Sequence, residues 1–285
     1  MITKTEGVVL KSMNYRDSSK IVTFYTRRYG KLKCIAKGAR LAKSRFGAGL
    51  EPITNVALVL YKKEHRDLQL VTQCDAIKGY RKIHSELDRM AVALAVLELV
   101  NQLIHEEEEH DALFQLLLST LDEIERAKRN YMNFLFAFEI RFAALFGFSP
   151  DFQACPGCGR KLDDLVPEGT AVFQLSKGSI LCARCSAAAG ISAGKELQVR
   201  NAVPGFKPGP FRDDGNVRVS IGTLKYLQSF LSAALDSLSL LGTDNLTGNE
   251  IDGTLRLYLR QHFEELKPLR SLEILKNPQL DSGRG

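Results

Sequence analysis

Nowhere in the chain do as many as about eighteen apolar residues follow one another, and the opening Met1-Ile2-Thr3-Lys4-Thr5-Glu6 has no apolar stretch of the kind an export signal needs. Neither membrane insertion nor export is expected, and a cytoplasmic chain is. Acidic residues are missing where they would matter most: Ser18 to Leu50 holds nine Lys or Arg and no Asp or Glu. A solvated structural surface mixes signs, whereas a one-sign run beside glycine and small residues admits a polyanion and displaces its condensed counterions. Internal repeats, low-complexity tracts and a Ser, His and Asp arrangement of recognisable spacing are absent too. Two stretches resemble nucleotide chemistry and fail. Gly190-Ile191-Ser192-Ala193-Gly194-Lys195-Glu196 is one residue short of a P-loop and puts Glu where Mg²⁺ needs Ser or Thr; Glu250-Ile251-Asp252-Gly253 lacks the lysine nucleophile of a ligase. The sequence is read as binding without catalysis.

What is present is ordinary globular composition, 285 residues that are 45% hydrophobic and 25% charged, enough for roughly two domains. The charge is divided unevenly. Residues 1–80 carry 16 Lys or Arg against 6 Asp or Glu, net +10; the remainder carries 23 against 27, net −4, which restores the overall +6. Polyanion binding is therefore assigned to the first 80 residues.

Short strands with turn signals fill that part: Val8 and Leu10, Ile21 to Tyr25, Leu32 to Ala36 after a Tyr29-Gly30 turn, Val56 to Tyr61 and Leu68 to Val71. Five strands in so short a span predict a small closed barrel, an OB-fold first, with an SH3-like barrel fitting the count almost as well. Lys31 and Lys33 fall on one face of a strand by alternation, and Lys37, Arg40, Lys43 and Arg45 continue over the next loop as a phosphate track. Tyr25, Tyr29 and Phe46 can add base stacking, although Tyr25 and Phe46 are better read as barrel core. Cys34 and Cys74, alone in apolar runs, are read as small buried thiols.

At His84 the period changes to three and four, predicting helices over Leu87 to Ile104 and Leu113 to Ile124, with Glu106 to Glu109 as a solvated connection. Asn133 to Phe146 is apolar nearly all round and predicts a central buried helix. Cys155-Pro156-Gly157-Cys158, 23 residues, then Cys182-Ala183-Arg184-Cys185 sets four thiolates at tetrahedral spacing, the pattern of one structural Zn²⁺, and leaves no open position for catalysis. Asn201 to Asn216 is a Pro- and Gly-rich connection; helical spacing returns at Leu224 to Leu238, and Thr247-Gly248-Asn249-Glu250 reads as a capping box opening a last helix. The expected class is α+β: an OB-fold domain at 1–80, then an all-helical domain at 81–150 and 191–285 with a four-cysteine zinc module inserted at 151–190.

Tyr15-Arg16-Asp17-Ser18-Ser19-Lys20-Ile21-Val22, Tyr29-Gly30-Lys31-Leu32, Ala36-Lys37-Gly38-Ala39-Arg40, Lys43-Ser44-Arg45 and Leu50-Glu51-Pro52 together resemble the RecO family of bacterial recombination mediators. The likeness extends to Phe138-Glu139, Gly147-Phe148, the cysteine pairs, which only part of the family has, and Pro268-Leu269-Arg270-Ser271. The resemblance implies an OB-fold that binds single- and double-stranded DNA and anneals complementary strands without ATP. It also implies work with RecR to load RecA onto strands coated by single-strand binding protein, in the cytoplasm at the nucleoid. The helical domain would hold the acidic, Phe-terminated tail of single-strand binding protein, a task for which Arg126, Arg129 and Arg141 are candidates, each equally able to pair with Glu123, Glu125 or Glu139. An RNA-binding OB-fold and zinc-ribbon protein of translation or transcription is the alternative from another class.

Overall fold

The computed structural model describes residues 1–63, 66–191 and 215–276. Alternation makes the first five strands, β1 (Ile2–Tyr15), β2 (Ser19–Thr26), β3 (Gly30–Ala36), β4 (Asn55–Tyr61) and β5 (Gln69–Lys78). In β3, for example, Leu32, Cys34 and Ala36 point inward and Lys31, Lys33 and Ile35 outward. The strands hydrogen-bond in the order β1-β2-β3-β5-β4 as a closed barrel, with β4 back against β1. All pairs are antiparallel except β3 with β5, which meet in parallel at Cys34 with Gln69 and Ile35 with Leu70. Inside lie Val9, Val22, Phe24, Leu58, Cys34 and Cys74. Burial raises the thiol pKa of Cys34, and that of Cys74 to about 12, so both are the inert thiols the sequence predicts.

Helices α1 (Arg81–Ser85), α2 (Leu87–Leu103) and α3 (Asp111–Arg126) follow. The α3 apolar stripe of Leu113, Leu117, Leu121 and Ile124 is buried, and Arg89 of α2 donates to the carbonyls of Ile124 and Glu125 at the end of α3. The chain returns to α2 near its end: Glu98 accepts from the Arg270 and Ser271 amides at 3.1 and 3.0 Å and from Ser271 Oγ at 2.8 Å. One compact unit thus comprises Met1–Arg126 and Lys267–Gly285, and a second Ala127–Leu266. This division differs from the expected cut after residue 80, because α1 to α3 are bonded to the barrel: Lys78 pairs with Asp122 at 2.7 Å and Arg27 with Asp111 at 2.9 Å.

In the second unit, α4 (Met132–Leu145) is the buried helix predicted from its apolar surface, packed by α6 (Ile221–Ser232) and α7 (Asn245–His262). The region is not all-helical. Strands β6 (Thr170–Gln174), β7 (Ser179–Leu181) and β8 (Asn216–Ser220) form a three-stranded sheet in the order β7-β6-β8, and α5 (Ala183–Ala188) follows β7. The alternation of buried Val217 and Val219 with exposed Arg218 makes β8, so the cysteine module reaches past residue 190. The run Leu224 to Leu238 is two elements, α6 and a 3-10 turn at Leu235–Leu240. The capping box fails in detail: Asp244 is the cap, accepting from the Thr247 amide at 2.7 Å, and Glu250 reaches Ser220 and Thr223 at the start of α6 instead. The Pro- and Gly-rich connection, save Gly215 and Asn216, and the P-loop-like stretch from Ser192 lie outside the described residues.

On α4, Glu139 is buried with Oε2 unpaired, and desolvation, with Asp252 adding repulsion against the pull of Arg256, pushes its pKa up to about 8 from an ordinary 4.5. The folded chain therefore keeps a proton that the unfolded chain has lost between those two values, so stability falls as pH rises through this window and levels above it. Glu139→Gln should abolish that decline, matching the parent near pH 4.5 and exceeding it by about 2 to 4 kcal/mol near pH 8, as read by denaturant melts across pH. A variant that tracks the parent at every pH would place the decline elsewhere.

Candidate nucleic-acid interface and metal centre

The loop from Lys37 to Phe46 is a succession of tight turns tied at both ends. Its last residue, Phe46, turns inward and is 3% exposed in the barrel core, and Leu50 follows it. The Arg40 amide donates to the Ser18 carbonyl at 2.9 Å and its guanidinium to the Arg16 carbonyl at 3.0 Å, which joins the loop to the β1–β2 turn. With the apolar end sealed, Lys37, Arg40, Lys43 and Arg45 are left exposed. Among the described residues none of these four has an ion-pair partner. Arg45 lies 5.1 Å from the Phe46 ring centre, and Arg16, which sequence reasoning did not select, lies 5.2 Å from that of Tyr15. The signal for Arg16 was its place in the Tyr15-Arg16-Asp17 turn.

Lys31 and Lys33 share the outer face as predicted but are engaged differently. Lys31 Nζ donates to the Asn101 carbonyl at 2.9 Å, and Lys33 pairs with Glu106. Glu106 to Glu109 is not a mere solvated connection: Glu107 donates its amide to the Lys31 carbonyl at 3.0 Å and its carboxylate pairs with Lys62 at 3.0 Å. Gly30, at φ +57°, permits the approach, since a Cβ there would lie 2.1 Å from the Glu108 carbonyl oxygen. The segment and α3 cover this part of the sheet. Tyr25 is fully buried, with Phe114 6.2 Å from its ring and its hydroxyl donating to His110 O, while the Tyr29 hydroxyl bonds Thr3 Oγ1 at 2.6 Å. Of the three aromatic residues considered for stacking, Phe46 is barrel core with Tyr29 packed half-buried against that core, whereas Tyr25, in the phase opposite Phe24, is buried outside the barrel core against Phe114 of α3.

The three arginines considered for a partner peptide are divided between the two units. Arg126 pairs with Glu123 at 2.7 Å in the first unit. In the second, Arg141 donates to the Phe230 carbonyl at 2.8 Å and to that of Ala233, which closes the end of α6, and Arg129 is exposed. Burial lowers the Arg141 pKa.

The four cysteines do converge. The sulfurs of Cys155, Cys158, Cys182 and Cys185 all lie within 4.8 Å of one another and can hold a metal ion. Sulfurs about 2.3 Å from a tetrahedral ion would stand about 3.8 Å apart, and the Cys158 to Cys182 separation is 3.7 Å. The surroundings suit thiolates: the Cys182 amide donates to Cys155 Sγ at 3.5 Å and the Cys185 amide to Cys182 Sγ at 3.4 Å. Gly157 allows the turn, since a Cβ there would come within 3.0 Å of Cys185 Sγ. The first pair lies in the loop closed by the Ala154–Lys161 bridge and the second opens α5, so the ion would fasten loop to helix.

Family models agree with this architecture along most of the chain. Residues 1–80 match the model described as recombination protein O N terminal, and residues 84–273 the one described as recombination protein O C terminal. The chain belongs to the RecO family. It is 33% identical over 96% of its length to DNA repair protein RecO of Chloroherpeton thalassium, covering 98% of that protein, and 32% identical over 95% to that of Syntrophus aciditrophicus, covering 95%. DNA repair protein RecO of Symbiobacterium thermophilum is 27% identical over 95% of the chain and is covered to 95%. The two RecO models meet near residue 80, where the barrel ends, although compactness groups the next three helices with the barrel. No helix among the described residues is long and apolar enough to cross a membrane.

Replacing Cys158 with Ser should leave three thiolates, reduce bound metal below one equivalent, and speed amide exchange in β6, β7 and α5 while exchange in the barrel strands stays as in the parent. Equal metal content and equal exchange in parent and variant would show that the cluster does not hold the module.

Proposed function

We propose that this chain is a DNA-binding mediator of recombinational repair, with the barrel an OB-fold that binds single- and double-stranded DNA. The observation that carries the reading is the set of exposed cations Lys37, Arg40, Lys43 and Arg45 on a loop fixed to the β1–β2 turn, in a chain of the RecO family. Cations on fixed turns contact phosphate without reading bases, and they screen the repulsion between two strands while leaving base edges free to pair. Annealing of complementary strands without ATP follows from that, with no covalent step. Lys31 and Lys33 join the track as inner members, Lys33 exchanging Glu106 for phosphate. The ion at the four cysteines is Zn²⁺, because four thiolates in a closed tetrahedral shell suit it and leave its role structural. In the cell the protein works in the cytoplasm at the nucleoid, with RecR, to load RecA onto strands coated by single-strand binding protein. The acidic tail of that protein is taken by the helical part, where Arg126, paired with Glu123, and Arg129 are the exposed arginines of the three considered.

Substituting Lys37, Arg40, Lys43 and Arg45 by Ala together should make log K against log salt shallower by about 0.7 per lost contact on single strands, equally for unrelated sequences. Annealing of strands coated with single-strand binding protein should fall in parallel. A folded variant with the parent's slope and annealing rate would place the DNA site elsewhere.

A further inference from the structure

The outer face of the barrel is covered only in part. Where β2 ends, Tyr25, Lys31 and Lys33 lie under or against α3 and the Glu106 to His110 segment. Toward the other end of β2 the register aligns a row of apolar side chains: Met13 opposite Ile21, Ile21 opposite Ile35, and Ile35 opposite Leu70. Their partners in the opposite phase, Val22 and Cys34, fill the core, so this row points outward. Met13 is 50% exposed, and Ile21, Ile35 and Leu70 are half-buried, flanked by neighbouring strands but open above. Tyr15, two residues on from Met13 and on the same face, stands half-buried at the end of the row beside the Arg16 guanidinium.

An apolar row on the solvent face of a mainly antiparallel sheet departs from the usual polar outer phase. Its borders say what it takes. Exposed Lys11 and engaged Lys33 lie across Thr23 on one side, and Arg16, Lys37, Arg40 and Lys43 on the other; Asp17 is the carboxylate of the adjoining turn, and Glu51 is paired with Lys20 at 2.7 Å. Cations at both margins and an apolar floor between them match a strand whose phosphates lie at the rim and whose unstacked bases lie on the sheet.

We propose that Tyr15, Met13, Ile21 and Ile35 form a shelf for the faces of unpaired bases in single-stranded nucleic acid. The inference rests on the proposed function and adds to it which form of the polymer this face selects. A duplex keeps its base faces stacked and cannot use the shelf. The shelf offers aliphatic carbon, a thioether and one ring toward the base, and little that would hydrogen-bond its Watson–Crick edge. Bases held there are therefore unread and available to a complementary strand.

The experiment compares oligo(dT) with an abasic phosphodiester of equal length, for the parent and for the Met13→Thr/Tyr15→Thr variant, in salt titrations. Threonine keeps strand propensity at these exposed and half-exposed positions. The parent should bind oligo(dT) more tightly than the abasic strand, and the variant should lose roughly tenfold on oligo(dT), at the lower end of what stacking one base contributes, with no change on the abasic strand or in salt slope. Oligonucleotide carrying 5-iodouracil, irradiated on the unsubstituted protein, should give adducts at Tyr15 or Met13. A parent that binds both strands equally, a variant that keeps the preference, or adducts confined to Lys37 to Arg45 would overturn the shelf and leave the phosphate track standing. Failure of the parent to bind either strand would overturn both.

Discussion

The chain between the third and fourth strands of this barrel turns the apolar side chains of Phe46 and Leu50 into the barrel core. Here β3 and β5 pair through just two registered positions, Cys34 with Gln69 and Ile35 with Leu70, so the end of the barrel beyond them must be sealed by side chains rather than by more ladder. Phe46 and Leu50 do this. Burying a phenylalanine and a leucine contributes about 1.5–3 kcal/mol each, enough to fix a loop whose other side carries four like charges. The repulsion among those cations is thus held in place by apolar burial and by Arg40 on the β1–β2 turn. A polyanion relieves that repulsion on arrival, so the constraint that closes the barrel also prepares its surface.

Charge on one side of the barrel is compensated. The first 80 residues are strongly basic, yet Arg27, Lys33, Lys62 and Lys78 each meet a carboxylate supplied from beyond residue 100. Exposed ion pairs of this kind contribute little individually, at most about 1 kcal/mol, but they neutralise the side that the acidic segment covers and leave the cations of the Lys37 to Arg45 loop without a paired carboxylate among the described residues. Docking of the acidic segment needs a backbone without Cβ at Gly30, since its carbonyl at Glu108 occupies the space a side chain would take. Net charge by segment identifies which part of the chain is basic; only the fold shows which cations remain uncovered.

The same contrast explains what could be read in advance. Short β-branched, aromatic and apolar runs between turn signals located all five barrel strands, and apolar surface located α4, because both patterns record burial. The cysteine pairs were legible because the spacing is itself the chemistry. The division into compact units was not legible, since it depends on ion pairs such as Lys78 with Asp122 and Arg27 with Asp111 that link residues far apart in sequence. Strand β8 was within reach: Val217 and Val219 alternate, but a Pro- and Gly-rich stretch beside them favoured a loop reading. Glu250 shows how a local motif can mislead. Its spacing from Thr247 fits a capping box, yet three donors at Ser220 and Thr223 outcompete the local amide. Tyr15 and Met13 were hidden for a related reason, because nothing in a strand's own alternation says which outward residues a helix will cover.

Polar side chains on α4 fix how its unit seats an almost wholly apolar helix. Asn133 donates to the Leu238 and Leu241 carbonyls at 2.9 and 2.8 Å, and Arg141, two turns on, to those at the end of α6. Both side chains satisfy carbonyls that helices and 3-10 turns leave open at their C-terminal ends, so each orients a neighbour that apolar packing alone would let slide. Glu139 sits between them without such a partner for Oε2, and the cost of burying its charge is avoided by holding the proton. Two donors aimed at carbonyls and one carboxyl kept neutral give α4 a unique seat in a core that would otherwise accept it in several rotations.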